Sequence, residues 1–316
     1  QGSAIVGSET NLFSGKLASD VEVSGKLTVH AMPGSVSLDS VTLNGGHVHF
    51  DDVFENGKGY MVAPFSHSIG SLYVGEEGGT ISNDHRQGFY ALRSNTDIAA
   101  LAGSGHLHLQ SESHDTLNLF RIASVGPEGF EGNITLQHGN EAGYASGYYQ
   151  SSVLELGDVQ MGGRIYIQTL APADEIKNLF ITALGIDGNA TIGGLDSLEN
   201  PATQVFLYSG SIKDSTREMR SSEAFSSFIE EDEHTLTVQS DSNHRFAGTV
   251  LGSLSLVKKG KGEQAFTGDM SAFDGSVDVQ GGMLRVRDSL AAASVCVDNA
   301  ALVAESHLNT GSGLTM

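Results

Sequence analysis

The segment LSLVKKGKGEQAFTGDMSAFDGSVDVQGGMLRV, residues 254–286, contains the clearest indication of the fold. Two runs in which apolar and polar residues alternate, SVDV (276–279) and MLRV (283–286), flank a glycine pair. Alternation with a period of two indicates short strands with one buried face. Glycine reaches the backbone conformations with φ > 0 that sharp corners need. The segment therefore predicts short strands joined by glycine corners.

Two motifs of this segment recur along the chain of 316 residues. A Phe-x-Gly-x-apolar motif begins at Phe13, Phe130, Phe246, Phe266 and Phe273. A glycine pair followed by a strand-like run occurs at 45–46, 78–79, 162–163, 193–194 and 281–282. Short recurring units are typical of architectures built by stacking, and about 22 residues per coil are expected here. We predict an all-β fold with residues 1–316 forming one β-solenoid, the phenylalanines being interior anchors; a β-sandwich or jelly roll is the alternative.

Residues 254–286 resemble the autotransporter-associated β-strand repeat, and residues 101–168 resemble it more weakly. The matching residues are Leu256, Lys258, Gly260, Gly262, Phe266 and Gly268, then Phe273, Gly275, Val277, Val279, Gly281, Gly282, Leu284 and Val286. The resemblance implies a single right-handed parallel β-helix with short loop or helix excursions. It also implies a passenger domain of a Gram-negative surface protein, anchored to the outer membrane through a region not present here. We accordingly expect this chain to be a fragment of a longer passenger.

Two segments depart from the strand pattern. Residues 171–180 are helical or loop-like in composition. The segment 215–233 has apolar residues at helical spacing and a pair with capping-box spacing: Phe225, Phe228 and Ile229, preceded by Ser215 and Glu218. We predict a loop excursion with a short helix packed on the solenoid. It either covers the rod or belongs to a binding face.

Charge and cysteine content exclude several partners and sites. The chain has 17 Lys and Arg against 38 Asp and Glu, a net charge of −21. Nucleic acid and anionic membrane surfaces are disfavoured partners, since both require basic patches. No apolar run is long enough for membrane insertion by this chain. Cys296, the single cysteine, excludes an intramolecular disulfide and is expected to be a small buried residue.

Motifs for catalysis are missing from the sequence. It contains no G-x-S-x-G or G-D-S-G nucleophile phrase and no P-loop. Acidic runs occur at 50–52 and 230–233. Adjacent strand residues point to opposite faces, so we expect these acids to be solvated rather than to form a catalytic pair. We assign no catalytic or cofactor-binding residue and predict no cofactor.

Four histidines form two i, i+2 pairs, His47 with His49 and His106 with His108. Each pair projects from one face of a strand, a geometry that can ligate a metal, but the sequence names no third ligand. No metal-binding residue is therefore assigned. The intervening apolar residues point the opposite way, so we expect the histidines to lie in water. Stacked in a ladder, they could make self-association pH-dependent.

These observations predict a non-enzymatic passenger, extracellular or on the bacterial cell surface. Its role would be adhesion, self-association or that of an extended spacer. The partner would be a host or bacterial surface glycan or protein, or a second copy of the chain. The alternative is a β-helix carbohydrate-active enzyme of the polysaccharide lyase or glycoside hydrolase type, which clustered carboxylates on one face would favour. A third hypothesis is that the chain is an accessory segment that templates the folding of the passenger.

Overall fold

The computed structural model describes residues 3–7, 13–53, 65–86, 92–111, 116–138, 150–169, 180–198, 203–213, 222–287, 289–311 and 313–315. These residues form short strands, β1 to β30, and one helix, α1 (Ser222–Ser227). The prediction of an all-β fold is confirmed, and the main sheet is parallel. No helix in these ranges is long and apolar enough to cross a membrane.

The strands before α1 are β1 (Ser3–Val6), β2 (Phe13–Val23), β3 (Lys26–Leu43), β4 (Gly46–Val53), β5 (Phe65–Val74), β6 (Gly79–Arg86), β7 (Leu92–Gly103), β8 (Leu107–Ser111), β9 (Thr116–Phe130), β10 (Ile134–His138), β11 (Gln150–Asp158), β12 (Arg164–Thr169), β13 (Phe180–Ile186), β14 (Ala190–Ile192), β15 (Gly194–Ser197), β16 (Thr203–Ser209) and β17 (Ser211–Ile212). The strands after α1 are β18 (Ile229–Glu230), β19 (Thr235–Gln239), β20 (His244–Phe246), β21 (Thr249–Leu251), β22 (Ser255–Lys259), β23 (Glu263–Phe266), β24 (Ser276–Val279), β25 (Met283–Val286), β26 (Leu290–Ala292), β27 (Ser294–Val297), β28 (Ala301–Ala304), β29 (Leu308–Thr310) and β30 (Leu314–Thr315).

The main sheet has 16 strands and is continuous through the long strand β3. We call one side of it sheet I: the first part of β3, then β4, β6, β8, β10, β12 and β15. We call the other side sheet II: the second part of β3, then β5, β7, β9, β11, β13, β16 and β21. Two further parallel sheets follow, β14-β19-β22-β24-β27-β30 and β20-β23-β25-β28. The short pair β26 and β29 is also parallel, whereas β17 pairs with β18 antiparallel.

The number of residues between ladder partners on neighbouring strands is not uniform. Gln137 and Gln168 are ladder partners 31 residues apart. Ser255 and Ser276 contact each other 21 residues apart. The expected spacing therefore holds in the C-terminal part and at the start of the chain, as between Lys26 and His47, and is wrong for the strands in between, as between His47 and Thr80. The reason is that longer connections separate the strands of sheet I from those of sheet II, as between His138 and Gln150.

Aliphatic residues stack in rows on the inner side of the sheets. One row joins five sheet I strands and has no exposed surface: Val48, Ile81, Leu109, Leu136 and Ile167. Four of the recurring phenylalanines are buried as predicted: Phe130, Phe246, Phe266 and Phe273. Phe246 and Phe266 are ladder partners whose ring centroids lie 5.9 Å apart, edge to face. Phe13 is half-buried, because β2 pairs only with β3.

One inner corner is polar, which the apolar pattern did not predict. Hydrogen bonds there join the ends of sheet I strands to the starts of sheet II strands. The Ser94 hydroxyl donates to Asp52 Oδ2 over 2.8 Å, and the hydroxyls of Thr169 and Thr182 lie 3.0 Å apart. His138 and Ser152 form a similar buried pair. These contacts satisfy polar groups that would otherwise be costly to bury.

Glycine is needed at the pairs for two different reasons. Gly45, Gly78 and Gly282 have φ of 69°, 73° and 63°, the corner conformation that the sequence predicts. Gly163 has an ordinary φ but lies against a neighbouring strand. A Cβ on Gly163 would be 1.7 Å from the Gly132 carbonyl oxygen. At this corner the close contact with the neighbouring strand requires glycine, whereas at the other corners the positive φ requires it.

Helix α1 packs on the outer side of sheet II. Phe225 is fully buried, and Phe228 and Ile229 are almost fully buried. Phe225 stacks on Phe206 with ring centroids 4.9 Å apart and meets Tyr208 edge to face. Residues 171–179 and 214–221, including Ser215 and Glu218, lie outside the described ranges.

A buried carboxylate holds this segment to sheet II. Glu155 Oε2 accepts a hydrogen bond of 2.6 Å from Arg121 Nε. Its Oε1 accepts from the Tyr208 hydroxyl, over 3.0 Å, and from the Ile212 amide. Burial raises the pKa of Glu155, and the Arg121 guanidinium opposes that rise. The segment before α1 is thus fixed to the sheet by hydrogen bonds as well as by apolar contact.

Cys296 corrects one prediction. It is exposed rather than buried. Val295 is the buried residue of β27, so the alternation places the next side chain, Cys296, outside.

Candidate functional site

The outward side of sheet I carries two rows of polar side chains, which we call the polar face. The positions alternate with the buried aliphatic row, so the ladder register aligns them. The first row is Lys26, His47, Thr80, His108, Thr135, Tyr166 and Asp196. The second row is Thr28, His49, Ser82, Gln110, Gln137 and Gln168.

Side chains of the polar face are ordered by contacts along the rows. Gln168 Nε2 donates to Gln137 Oε1 over 2.7 Å, which forms an amide ladder. His106, at the adjoining corner, lies 2.7 Å from the Thr135 hydroxyl through its Nε2. The Arg164 guanidinium lies 5.8 Å from the centroid of the Tyr166 ring. The face is therefore a preformed array of hydroxyl, amide and aromatic groups.

The histidines point away from the aliphatic core, as the alternation predicts, but His49 is buried and the other three are only partly exposed to water. His49 is 3% exposed, and His47, His106 and His108 are half-buried. Neighbouring strands lie about 4.8 Å away on each side, so their side chains cover the imidazoles. Burial, with a smaller effect of Lys26, lowers the pKa of His47 to about 4. Burial also lowers the pKa values of His106 and His108.

The two aspartates of β4 point to opposite faces, as predicted, but the prediction that they are solvated is wrong. Asp51 and Asp52 both have no exposed surface. Asp51 lies on the polar face, with its Oδ2 2.8 Å from His30 Nδ1. Asp52 lies inside, with its Oδ1 2.9 Å from His67 Nε2. Strand β4 is flanked by β3 and β6, so both carboxylates are enclosed by neighbours. Residues 230–233 are exposed, as expected.

A histidine and two aspartates meet at the N-terminal end of the polar face. His49 and Asp51 are two positions apart on β4, and Asp84 is the ladder partner of Asp51 on β6. Their ligand atoms lie within 4.8 Å of one another. The Ser82 hydroxyl lies 2.7 Å from His49 Nδ1. Sequence reasoning considered His49 but missed its partners, since Asp84 comes from another strand; the His-x-Asp spacing at 49–51 was the available signal.

A serine, a histidine and an aspartate form a hydrogen-bonded series beside β15. Ser240 Oγ lies 3.0 Å from His244 Nε2, and His244 Nδ1 lies 2.8 Å from Asp196 Oδ2. The Arg245 amide donates to Asp196 Oδ1 over 2.8 Å, which holds the carboxylate. The order is that of a nucleophile, a base and the group that orients the base. No sequence signal pointed to it, because Asp196 and His244 are 48 residues apart.

Comparisons with protein-family models, with curated proteins and with solved structures found no match to this chain. The function is therefore argued from the polar face and its neighbouring clusters.

Proposed function

We propose that this chain is a right-handed parallel β-solenoid of the autotransporter passenger type, and that the polar face is an adhesive surface. The protein acts outside the cell or at the bacterial surface, without catalysis. The observation that carries the proposal is the alignment of polar groups, most of them half-buried, over successive strands of sheet I, with the amide ladder of Gln137 and Gln168 at its centre. A row of this kind offers many weak contacts to an extended ligand.

The chemistry of the face favours a neutral surface glycan as the partner. Amide and hydroxyl groups form hydrogen bonds with sugar hydroxyls, and the half-buried ring of Tyr166 offers an apolar surface to a sugar ring. The net charge of −21 repels acidic polysaccharides. The lowered pKa values of the half-buried histidines reduce their positive charge at neutral pH.

A binding screen tests this proposal. The purified chain is applied to an array of neutral and acidic oligosaccharides, with product analysis of every bound sugar and sedimentation of the free protein. Saturable binding to neutral glycans without shortened products is the expected result. Reversible self-association without glycan binding would replace the glycan by a second copy of the chain. Release of shortened sugars would favour the carbohydrate-active enzyme instead.

The carboxylate pair of Asp51 and Asp84 bears on that enzyme alternative. The two residues are the clustered acids that a lyase or glycosidase would need. Asp51, however, has no exposed surface, whereas a catalytic acid must reach the substrate. This burial favours the adhesive function over glycan cleavage at this place.

The series Ser240–His244–Asp196 supports an alternative to this non-enzymatic function, ester hydrolysis. His244 Nε2 would take the proton of Ser240 as Oγ attacks the ester carbonyl, then return it to the departing alcohol; water would release the acyl group. A fluorophosphonate probe tests this chemistry. Labelling that is lost in Ser240→Ala and retained in Ser242→Ala is expected. Failure of the wild-type chain to be labelled would overturn it.

A further inference from the structure

We propose that His49, Asp51 and Asp84 form a binding site for a divalent first-row transition ion such as Zn²⁺ or Mn²⁺. The site goes beyond the adhesive function and does not depend on it. Three features support it: the placement of the three side chains, the environment of the buried carboxylate and the contacts that orient the imidazole.

The ladder register brings the three side chains together. His49 and Asp51 project from the same side of β4, and Asp84 stands beside Asp51 on the neighbouring strand. Their ligand atoms are all within 4.8 Å of one another. Bonds of about 2.0–2.2 Å to Zn²⁺ place adjacent ligand atoms about 3–3.5 Å apart, so small side-chain rotations close the site.

The electrostatic environment favours a cation at this place. Asp51 has no exposed surface and His49 is 3% exposed, while Asp84 is half-buried. Two carboxylates on adjacent strand positions repel each other, and buried carboxylates are normally paired or bound to a metal. A divalent ion would neutralise both charges.

Neighbouring groups hold the ligands as they do in known metal sites. The Ser82 hydroxyl lies 2.7 Å from His49 Nδ1 and 2.7 Å from His47 Nε2, so it fixes the orientation of the His49 ring. His30 Nδ1 lies 2.8 Å from Asp51 Oδ2 and fixes that carboxylate. Such outer contacts orient metal ligands and are part of functional sites.

The donor set selects the kind of ion. One imidazole nitrogen and two carboxylates suit Zn²⁺ and Mn²⁺, whereas Ca²⁺ takes six to eight oxygen ligands. Asp84 is partly exposed, which leaves a direction from which water or a ligand oxygen can complete the coordination.

Calorimetric titration of the full, untagged chain with ZnCl₂, MnCl₂ and CaCl₂, after removal of metal by a chelator, tests the site. We expect one site for Zn²⁺ or Mn²⁺ with weaker binding of Ca²⁺. Asp84→Asn should weaken binding at least tenfold, whereas His108→Gln, on the same face but outside the cluster, should leave it unchanged. Circular dichroism verifies that each variant folds, and His49→Gln serves as a second test. Lack of binding, or equal affinity in Asp84→Asn and the wild type, would overturn the proposal.

Discussion

The carbonyl oxygen of Gly105 lies where a side chain of Gly132 would begin: a Cβ on Gly132 would be only 1.9 Å from it. Glycine is therefore required at position 132 because two successive corners stack closely there. The same relationship recurs one corner later between Gly132 and Gly163. Two consequences of the stacking, one of the buried contacts of Glu155 and one of the burial of histidines can be measured.

Gly132→Ala should destabilise the protein, since the methyl group would push two backbones apart. Overpacking of this kind costs about 1–3 kcal/mol or more. Gly126→Ala is the matched control, because its Cβ would meet Ala102 at an ordinary 3.6 Å. Urea denaturation compares the two free energies of unfolding. Equal stability of both variants would show that the corners are not stacked as described.

Glu155→Gln should loosen the segment that packs on sheet II. The change removes the charge that pairs with Arg121, whose side chain is 30% exposed. Loss of a fully buried ion pair costs about 3–5 kcal/mol, and the exposure of Arg121 reduces this to about 1–3 kcal/mol. Limited proteolysis should cut the variant faster around residues 211–230. The exposed Glu76→Gln is the control, and unchanged proteolysis of Glu155→Gln would contradict the assignment.

Lys258→Met should also destabilise the chain. The Lys258 ammonium donates to the carbonyls of Lys259, Gly260 and Ser240, which belong to two successive corners. Removing it leaves these carbonyls with fewer partners, at a cost of about 1–3 kcal/mol. Lys259→Met, at the neighbouring position, should have a smaller effect in the same denaturation experiment. The reverse order of the two variants would argue against this role.

Stability should fall with pH below about 6.5 because of His106 and His108. Burial lowers the folded pKa of both from 6.5, so the unfolded chain binds more protons once the pH drops below that value. Their contribution is complete above pH 6.5 and is lost as pH falls towards the lowered values. Each histidine contributes at most about 1.4 kcal/mol per pH unit to the slope of the free energy of unfolding against pH, and its partial exposure reduces this contribution.

Denaturation in chelator between pH 4.5 and 8 measures this slope. The double variant His106→Gln, His108→Gln should have a flatter profile, whereas the exposed His307→Gln should not. A profile as steep in the double variant as in the wild type would refute the assignment. Because their pKa values are lowered, any pH-dependent self-association through them is expected at a lower pH than for a free imidazole.

The repeated motifs predicted the all-β fold and the buried phenylalanines because both are local. Alternation in SVDV and MLRV specifies which side chains face inward, and the structure agrees at Val277 and Leu284. The role of Lys258 in the repeat motif, in contrast, became clear only when its carbonyl partners were seen on two corners.

The candidate sites could not be predicted in full, because they join strands that are distant in sequence. His49 was a candidate from its spacing, but Asp84 reaches it only through the register of β4 and β6. Burial of Asp51 and Asp52 also depends on the flanking strands. The alternation of apolar and polar residues predicts which face of the sheet a side chain occupies. It does not predict how much of that side chain the neighbouring rows bury.

Surface plasmon resonance on immobilised neutral and acidic oligosaccharides tests whether the polar face binds a neutral glycan. The variants are Tyr166→Ala and Gln168→Ala on the polar face and Ser68→Ala on the outer side of sheet II. We expect saturable binding to a neutral glycan, weakened about tenfold by each polar-face variant and unchanged by Ser68→Ala. Absence of binding, or equal binding by all three variants and the wild type, would contradict it.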